Sequence, residues 1–161
     1  MINVTFVCLG NICRSPMAEL VFKDIVEKRS LALSFNISSC ATSSYEVGNP
    51  IYPPAARELE KHGIYGKHRS RQITKSDILN NDYVLVMDSN NLMDVLRLTG
   101  GEHGHKIFKL CSFTDNPRDV ADPWYTGDFE KAFNDVYDGC NAFLEYLLKE
   151  KKQAFDYDKR H

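Results

Sequence analysis

Val7-Cys8-Leu9-Gly10-Asn11-Ile12-Cys13-Arg14-Ser15-Pro16 joins an apolar run to an amphipathic one, and its reading decides the fold. Before it, Ile2 to Cys8 is rich in β-branched and apolar residues and reads as a buried strand. After it, Met17, Ala18, Leu20, Val21, Ile25 and Val26 keep helical spacing to about Lys28. Ser15 is the expected helix cap, with Pro16 at the first helical position. Between the two runs, Gly10 lets the backbone turn tightly and Asn11 tolerates a left-handed conformation. A loop that leaves a strand and enters a helix aims free N–H groups at one point, and the helix dipole adds partial positive charge there. Phosphate is a natural occupant, and Arg14 adds a planar, bidentate fork that lysine lacks.

Working outward, Leu33 to Ala41 is a second strand candidate and Val47 to Pro54 a turn-rich loop. Ala55 to His62 reads as a short helix stopped by Gly63. Tyr83 to Met87 is a third strand, followed by Asp88-Ser89-Asn90 and a helix to about Leu98. Lys106 to Leu110 is a short fourth strand, and Asp115 to Gly127 a long polar loop. Asp128 to Lys149 places Phe129, Ala132, Phe133, Val136, Cys140, Phe143, Leu144 and Leu147 on one helical face. Alternating strands and helices predict an α/β fold with a parallel sheet and helices on both faces. Residues 1–149 are expected to form one domain, and the charged tail 150–161 to fray. Ligands in such folds bind beyond the carboxyl ends of the strands, where Gly10 to Ser15 falls.

Twenty basic and 22 acidic side chains leave a net charge of -2, so no overall field draws the chain to nucleic acid or an anionic membrane. The first residues lack a basic leader segment, and no apolar run is long enough to span a bilayer. Five cysteines (Cys8, Cys13, Cys40, Cys111, Cys140) show neither a disulfide framework nor zinc spacing. His103-x-His105 reads as a solvated pair rather than a metal site. The expectation is a reduced, cytoplasmic protein without metal or cofactor.

The loop also carries chemistry. Cys8 sits at the strand end, beneath the cradle, where N–H groups and Arg14 favour a thiolate nucleophile. Ser15 can donate a hydrogen bond to that sulfur. A cysteine alone would read as a small buried hydrophobe. Cysteine, arginine and serine together at a strand–helix junction are far more specific. The nucleotide P-loop pattern Gly-x-x-x-x-Gly-Lys-Ser/Thr is absent, as is a dinucleotide fingerprint. Expelling the leaving group of a phosphate ester calls for a proton donor, and Asp122, before Pro123 in the polar loop, suits that task. Tyr45, Trp124 and Tyr125 are loop aromatics and candidate walls for a flat ring.

Val7 to Pro16 closely resembles the signature of low-molecular-weight protein tyrosine phosphatases. The resemblance continues through Ala41 to Gly48, His62-Gly63-Ile64, His68 to Ile73, Val86-Met87-Asp88 and Asp119 to Tyr125. It implies a single-domain, four-stranded parallel sheet and metal-independent hydrolysis of phosphotyrosine monoesters through a cysteinyl-phosphate. It also implies Cys8 as nucleophile, Arg14 as phosphate clamp and Asp122 as general acid. Leu9, Gly10, Asn11, Ile12, Cys13, Arg14 and Ser15 would bind the phosphate, with Ser15, Asn11 and His68 in support. Substrates would be phosphotyrosine-bearing proteins or small aryl phosphates, and inorganic phosphate the product; the chain would act as a monomer or weak dimer. Cys13 is a candidate redox partner of Cys8, with plain packing the alternative. The sequence departs from the family pattern at Ala41, Tyr45, Tyr52, Pro54 and Trp124. Arsenate reductase would need a further cysteine relay, which the gap between Cys40 and Cys111 does not supply. A phosphoarginine phosphatase typically has threonine where Ile12 stands. A catalytically silent phosphate-binding or redox-sensing module would need neither the thiolate nor the acid.

Overall fold

The computed structural model describes residues 1–151, so residues 152–161 of the expected frayed tail lie outside the described residues. Four strands, β1 (Ile2–Cys8), β2 (Phe35–Ala41), β3 (Tyr83–Val86) and β4 (Ile107–Lys109), form one parallel sheet in the order β2-β1-β3-β4. Val4 pairs with Ile37 on one side and Tyr83 on the other, and Val84 pairs with Ile107. The central position of β1 explains its near-continuous apolar run, since a parallel strand covered on both faces has no solvent side.

Among the described residues, six α-helices surround the sheet: α1 (Arg14–Lys28), α2 (Pro53–Lys61), α3 (Lys75–Asn80), α4 (Ser89–Leu98), α5 (Pro123–Thr126) and α6 (Phe129–Glu150). Val4, Phe6 and Cys8 pack with the apolar faces of α1, α2 and α6. Phe22 sits at that centre, 5.8 Å from the Phe6 ring and 5.5 Å from that of Phe143. Val7, Cys40, Val84, Val86 and Ile107 face the other way, against Ile78 of α3 and Val95 of α4. The expected two-faced parallel sheet is therefore present. No helix among the described residues is long and apolar enough to cross a membrane.

Several boundaries differ from the sequence reading. Ser15 does not cap α1: the helix begins at Arg14, its cap position is Cys13, and no side chain caps it. The sulfur of Cys8 receives the Ser15 N–H instead, at 3.4 Å, and Pro16 falls at the third helical position. Ala32–Ser34 form a 3-10 turn, so β2 starts at Phe35 rather than Leu33. α2 begins earlier than expected, with Pro53 and Pro54 in its first turn, where the missing N–H groups cost nothing. Gly63, at φ 73°, ends it as expected, with Gly63 N–H donating to Glu60 O and Ile64 N–H to Leu59 O. The polar loop after Asp115 contains the single turn α5, and α3 was not anticipated at all.

Candidate active site

β1 delivers Cys8 to the carboxyl edge of the sheet, and the next five residues wrap its sulfur before α1 begins. Asn11 takes the left-handed conformation at φ 57°, which turns its N–H toward Cys8 Sγ at 3.3 Å. Ser15 adds its hydroxyl at 3.0 Å. The loop's carbonyls are tied outward. Ser70 Oγ donates to Gly10 O at 2.8 Å, and His68 Nε2 donates to Asn11 O at 2.8 Å. Tyr52 N–H donates to Ile12 O at 2.9 Å. With their oxygens held away, the loop peptides present N–H groups to the inside, as an anion cradle requires.

A polar chain behind the sulfur holds this shape. Asn11 Nδ2 donates to Ser15 Oγ at 2.7 Å and to Ser39 Oγ at 3.0 Å, and Ser39 in turn donates to Glu19 at 2.6 Å. Arg71 N–H donates to Asn11 Oδ1 at 3.2 Å. Asn11 thus uses both ends of its amide, and neither Asn11 nor Ser15 lines the cavity itself. Their side chains bond to the loop, to Ser39 and to the sulfur instead.

Arg14 is buried to 2% exposure. Its Nη1 donates to Asp88 at 2.6 Å and to Val120 O at 2.9 Å, and its Nη2 to Asp122 at 3.3 Å. Burial opposes its charge, but Cys8, Asp88 and Asp122 outweigh that and hold it more firmly protonated than usual. Among the described residues, Arg14 Nε has no hydrogen-bond partner. A buried donor left unpaired is costly. An oxygen of a tetrahedral oxyanion over Cys8 would satisfy it.

The cavity, about 140 Å³, has Cys8, Leu9, Gly10, Ile12, Cys13 and Arg14 as its floor. Tyr45, Glu46, Trp124 and Tyr125 form the walls, and Asp122 stands at the rim. Asp122 caps α5, its Oδ1 accepting the Trp124 N–H at 3.1 Å. Cys13 lines the same cavity as a free thiol, pushed up to about 12 by burial and then by the neighbouring Cys8 and Asp122 charges. Cys40, Cys111 and Cys140 are buried away from it: Cys111 Sγ donates to Asp135 O at 3.2 Å.

The structure brings Cys8, Arg14, Asp122, Tyr45, Trp124 and Tyr125 to one cavity, with Ser15, Asn11 and His68 behind it. Asp88, Ser39, Ser70 and Glu46 were not assigned roles from the sequence. Asp88 carried a usable signal, an acidic residue directly after a strand at the ligand-binding edge of the sheet. Ser39 and Ser70 carried none, because their partners lie 28 and 60 residues away in the chain. Two departures from the family pattern, Tyr52 and Trp124, turn out to be neighbours with ring centroids 4.7 Å apart.

Comparison with known proteins points to one family. The family model described as low molecular weight phosphotyrosine protein phosphatase matches residues 3–154. A mouse protein of that name is 42% identical over 148 residues, covering 89% of this chain and 94% of its own. The crystal structure of YfkJ from Bacillus subtilis superposes with a TM-score of 0.90 at 35% identity, covering 94% of this chain and 97% of that one. A structure described as a Drosophila arginine phosphatase aligns at 30% identity with a TM-score of 0.83, covering 89% and 96%.

Proposed function

The chain belongs to the low molecular weight phosphotyrosine protein phosphatase family, a group of phosphotyrosine hydrolases, and on that premise we propose that Cys8, Arg14 and Asp122 carry out its reaction. The observation that carries this assignment is the unpaired Nε of buried Arg14, which shares the cavity with a sulfur that already receives two N–H groups and lies 3.0 Å from the Ser15 hydroxyl.

The phosphoryl group sits in the cradle with its oxygens toward the loop N–H groups and Arg14. Cys8 Sγ attacks phosphorus in line, and the bond from phosphorus to the tyrosyl oxygen breaks. Asp122, protonated, gives its proton to the leaving phenolate. The product of this half is a cysteinyl-phosphate. Asp122, now a carboxylate, takes a proton from water while the water oxygen attacks phosphorus. The S–P bond breaks, and the Ser15 hydroxyl stabilises the returning thiolate. Inorganic phosphate leaves. Charge develops on the equatorial oxygens in both halves, which is where a fixed guanidinium and oriented peptides act most strongly.

The floor residue Ile12 offers no hydrogen bond to a guanidino group, which favours phosphotyrosine over phosphoarginine. The five unbridged thiols support a reducing compartment, the cytoplasm. The test is hydrolysis of a phosphotyrosine peptide by wild type and Cys8→Ser with a chelator present, and phosphoarginine as a parallel substrate. Wild type turns over the peptide without added metal, while Cys8→Ser binds it without turnover. A reduced, folded wild type that cleaves only phosphoarginine would overturn the substrate assignment.

A further inference from the structure

Trp124 lies on a helix of one turn, α5, and its side chain is 51% exposed. An element that short has little stiffness of its own. Yet Trp124 forms a wall of the cavity, and a wall contributes to ring binding only if it is held in place. The ring of Tyr52 lies against it, at 4.7 Å between centroids and 55° between planes. Tyr52 is in turn 6.0 Å from Phe129, at the start of the long helix α6, and packs on the main core. Its backbone N–H is fixed on Ile12 O, in the floor of the same cavity. Tyr52 itself does not line the cavity.

We propose that Tyr52 is a positioning residue that clamps Trp124 as the ring-stacking wall, and thereby sets the preference of this site for aryl over alkyl phosphate esters. Phe129 backs Tyr52, Tyr52 backs Trp124, and Trp124 meets the substrate's ring; the phosphate cradle takes only the backbone N–H of Tyr52, on Ile12 O, and no side chain of the stack. The proposal rests on the phosphotyrosine reading above, because it assigns the substrate ring to the Trp124 side of the cavity.

The chain has a single tryptophan, so its fluorescence reports this wall directly. Tyr52→Leu should lower the fluorescence anisotropy of Trp124. It should raise KM for phenyl phosphate roughly three- to tenfold, the usual scale of one aromatic contact, with kcat retained. Inhibition by inorganic phosphate and KM for a short alkyl phosphate should not move, whereas a general loss of structure would move both. Tyr52→Phe keeps the ring and should restore wild-type values throughout. In a Trp124→Leu background, Tyr52→Leu should add no further rise in KM. Unchanged anisotropy in Tyr52→Leu, or an equal KM rise with and without Trp124, would overturn the clamp. If wild type fails to hydrolyse aryl phosphates, the phosphatase reading falls, while the anisotropy comparison still decides whether Tyr52 holds Trp124.

Discussion

Arg14 Nη1 lies 2.6 Å from Asp88 Oδ2, so the guanidinium proposed to clamp phosphate is held by a carboxylate 74 residues away that also caps α4. The two functions can be separated. Asp88 Oδ1 accepts the Asn91 N–H at 2.8 Å, and asparagine is an equally good cap. Asp88→Asn should therefore keep the helix cap while weakening the grip on Arg14, at the stability cost of one partly buried ion pair. A charge-assisted hydrogen bond is worth about 1.5–3 kcal/mol, so kcat/KM should fall roughly 10- to 100-fold. Steady-state kinetics beside a melting curve checks both halves, and a large loss of stability with normal kcat/KM would refute the role.

Asp122 has the corresponding double duty, with one oxygen on the Trp124 N–H and the other near Arg14 Nη2. Asp122→Asn keeps the cap and removes the proton. For phenyl phosphate, whose leaving group is a poor one, kcat/KM, which reports only the step that expels the phenolate, should fall about 10²- to 10⁴-fold. For an aryl phosphate with a strongly acidic phenol the loss should be much smaller, because that phenolate leaves unaided. Equal losses for both esters would mean that Asp122 does not protonate the leaving group.

The thiols predict an alkaline weakness. Burial pushes Cys13 and Cys40 up to about 12 and Cys111 up to about 11. In the folded chain they stay protonated while the unfolded chain ionises near pH 9.0. The raised folded values mean that the stability is complete below about pH 9 and declines as pH rises toward the folded values. Each thiol contributes a slope of at most about 1.4 kcal/mol per pH unit. Denaturant midpoints at about pH 8 and about pH 10 measure it. Cys40→Ala should start lower and lose less between the two conditions; an unchanged difference would exclude Cys40 as a contributor.

The juxtaposition of Cys8 and Arg14 was legible because the two share one loop, and loop-to-helix geometry follows from local residue types. Asp122, which the structure brings to the same cavity, was singled out through chemical need rather than pattern. The support structure was not. Asp88, Ser39 and Ser70 meet the loop only after the sheet aligns distant segments, and nothing local marks a serine that will bind a carbonyl or an amide across the fold. Ser15 shows the opposite problem: a serine before proline is also what a helix cap looks like, and only the position of the Cys8 sulfur decides between the two roles. α3 was missed despite Thr74 and Asp77, which supply a complete capping box, because its six residues are too few to show a clear periodicity.

That capping box carries the last prediction. Thr74 Oγ1 accepts the Asp77 N–H at 3.3 Å, and Asp77 Oδ2 accepts the Thr74 N–H at 2.8 Å. Asp77 also pairs with Arg71 at 3.0 Å, and the Arg71 N–H is the donor to Asn11 in the phosphate loop. Burial alone would push Asp77 up, but Arg71 and the Thr74 donors outweigh it and hold the carboxyl below its ordinary range. A lowered folded value means that the contribution is present above the unfolded value, about 4, and is lost as pH falls through the folded one. Asp77→Ala should cost about 1 kcal/mol near neutral pH, the usual scale for a helix cap. The gap between wild type and variant should shrink as both are taken from neutral pH to well below the unfolded value, as the wild-type carboxylate becomes protonated. Urea unfolding at the two pH values, with amide exchange over residues 75–80, measures the effect. A gap that stays constant with pH would assign it to packing alone and leave no role for the charge.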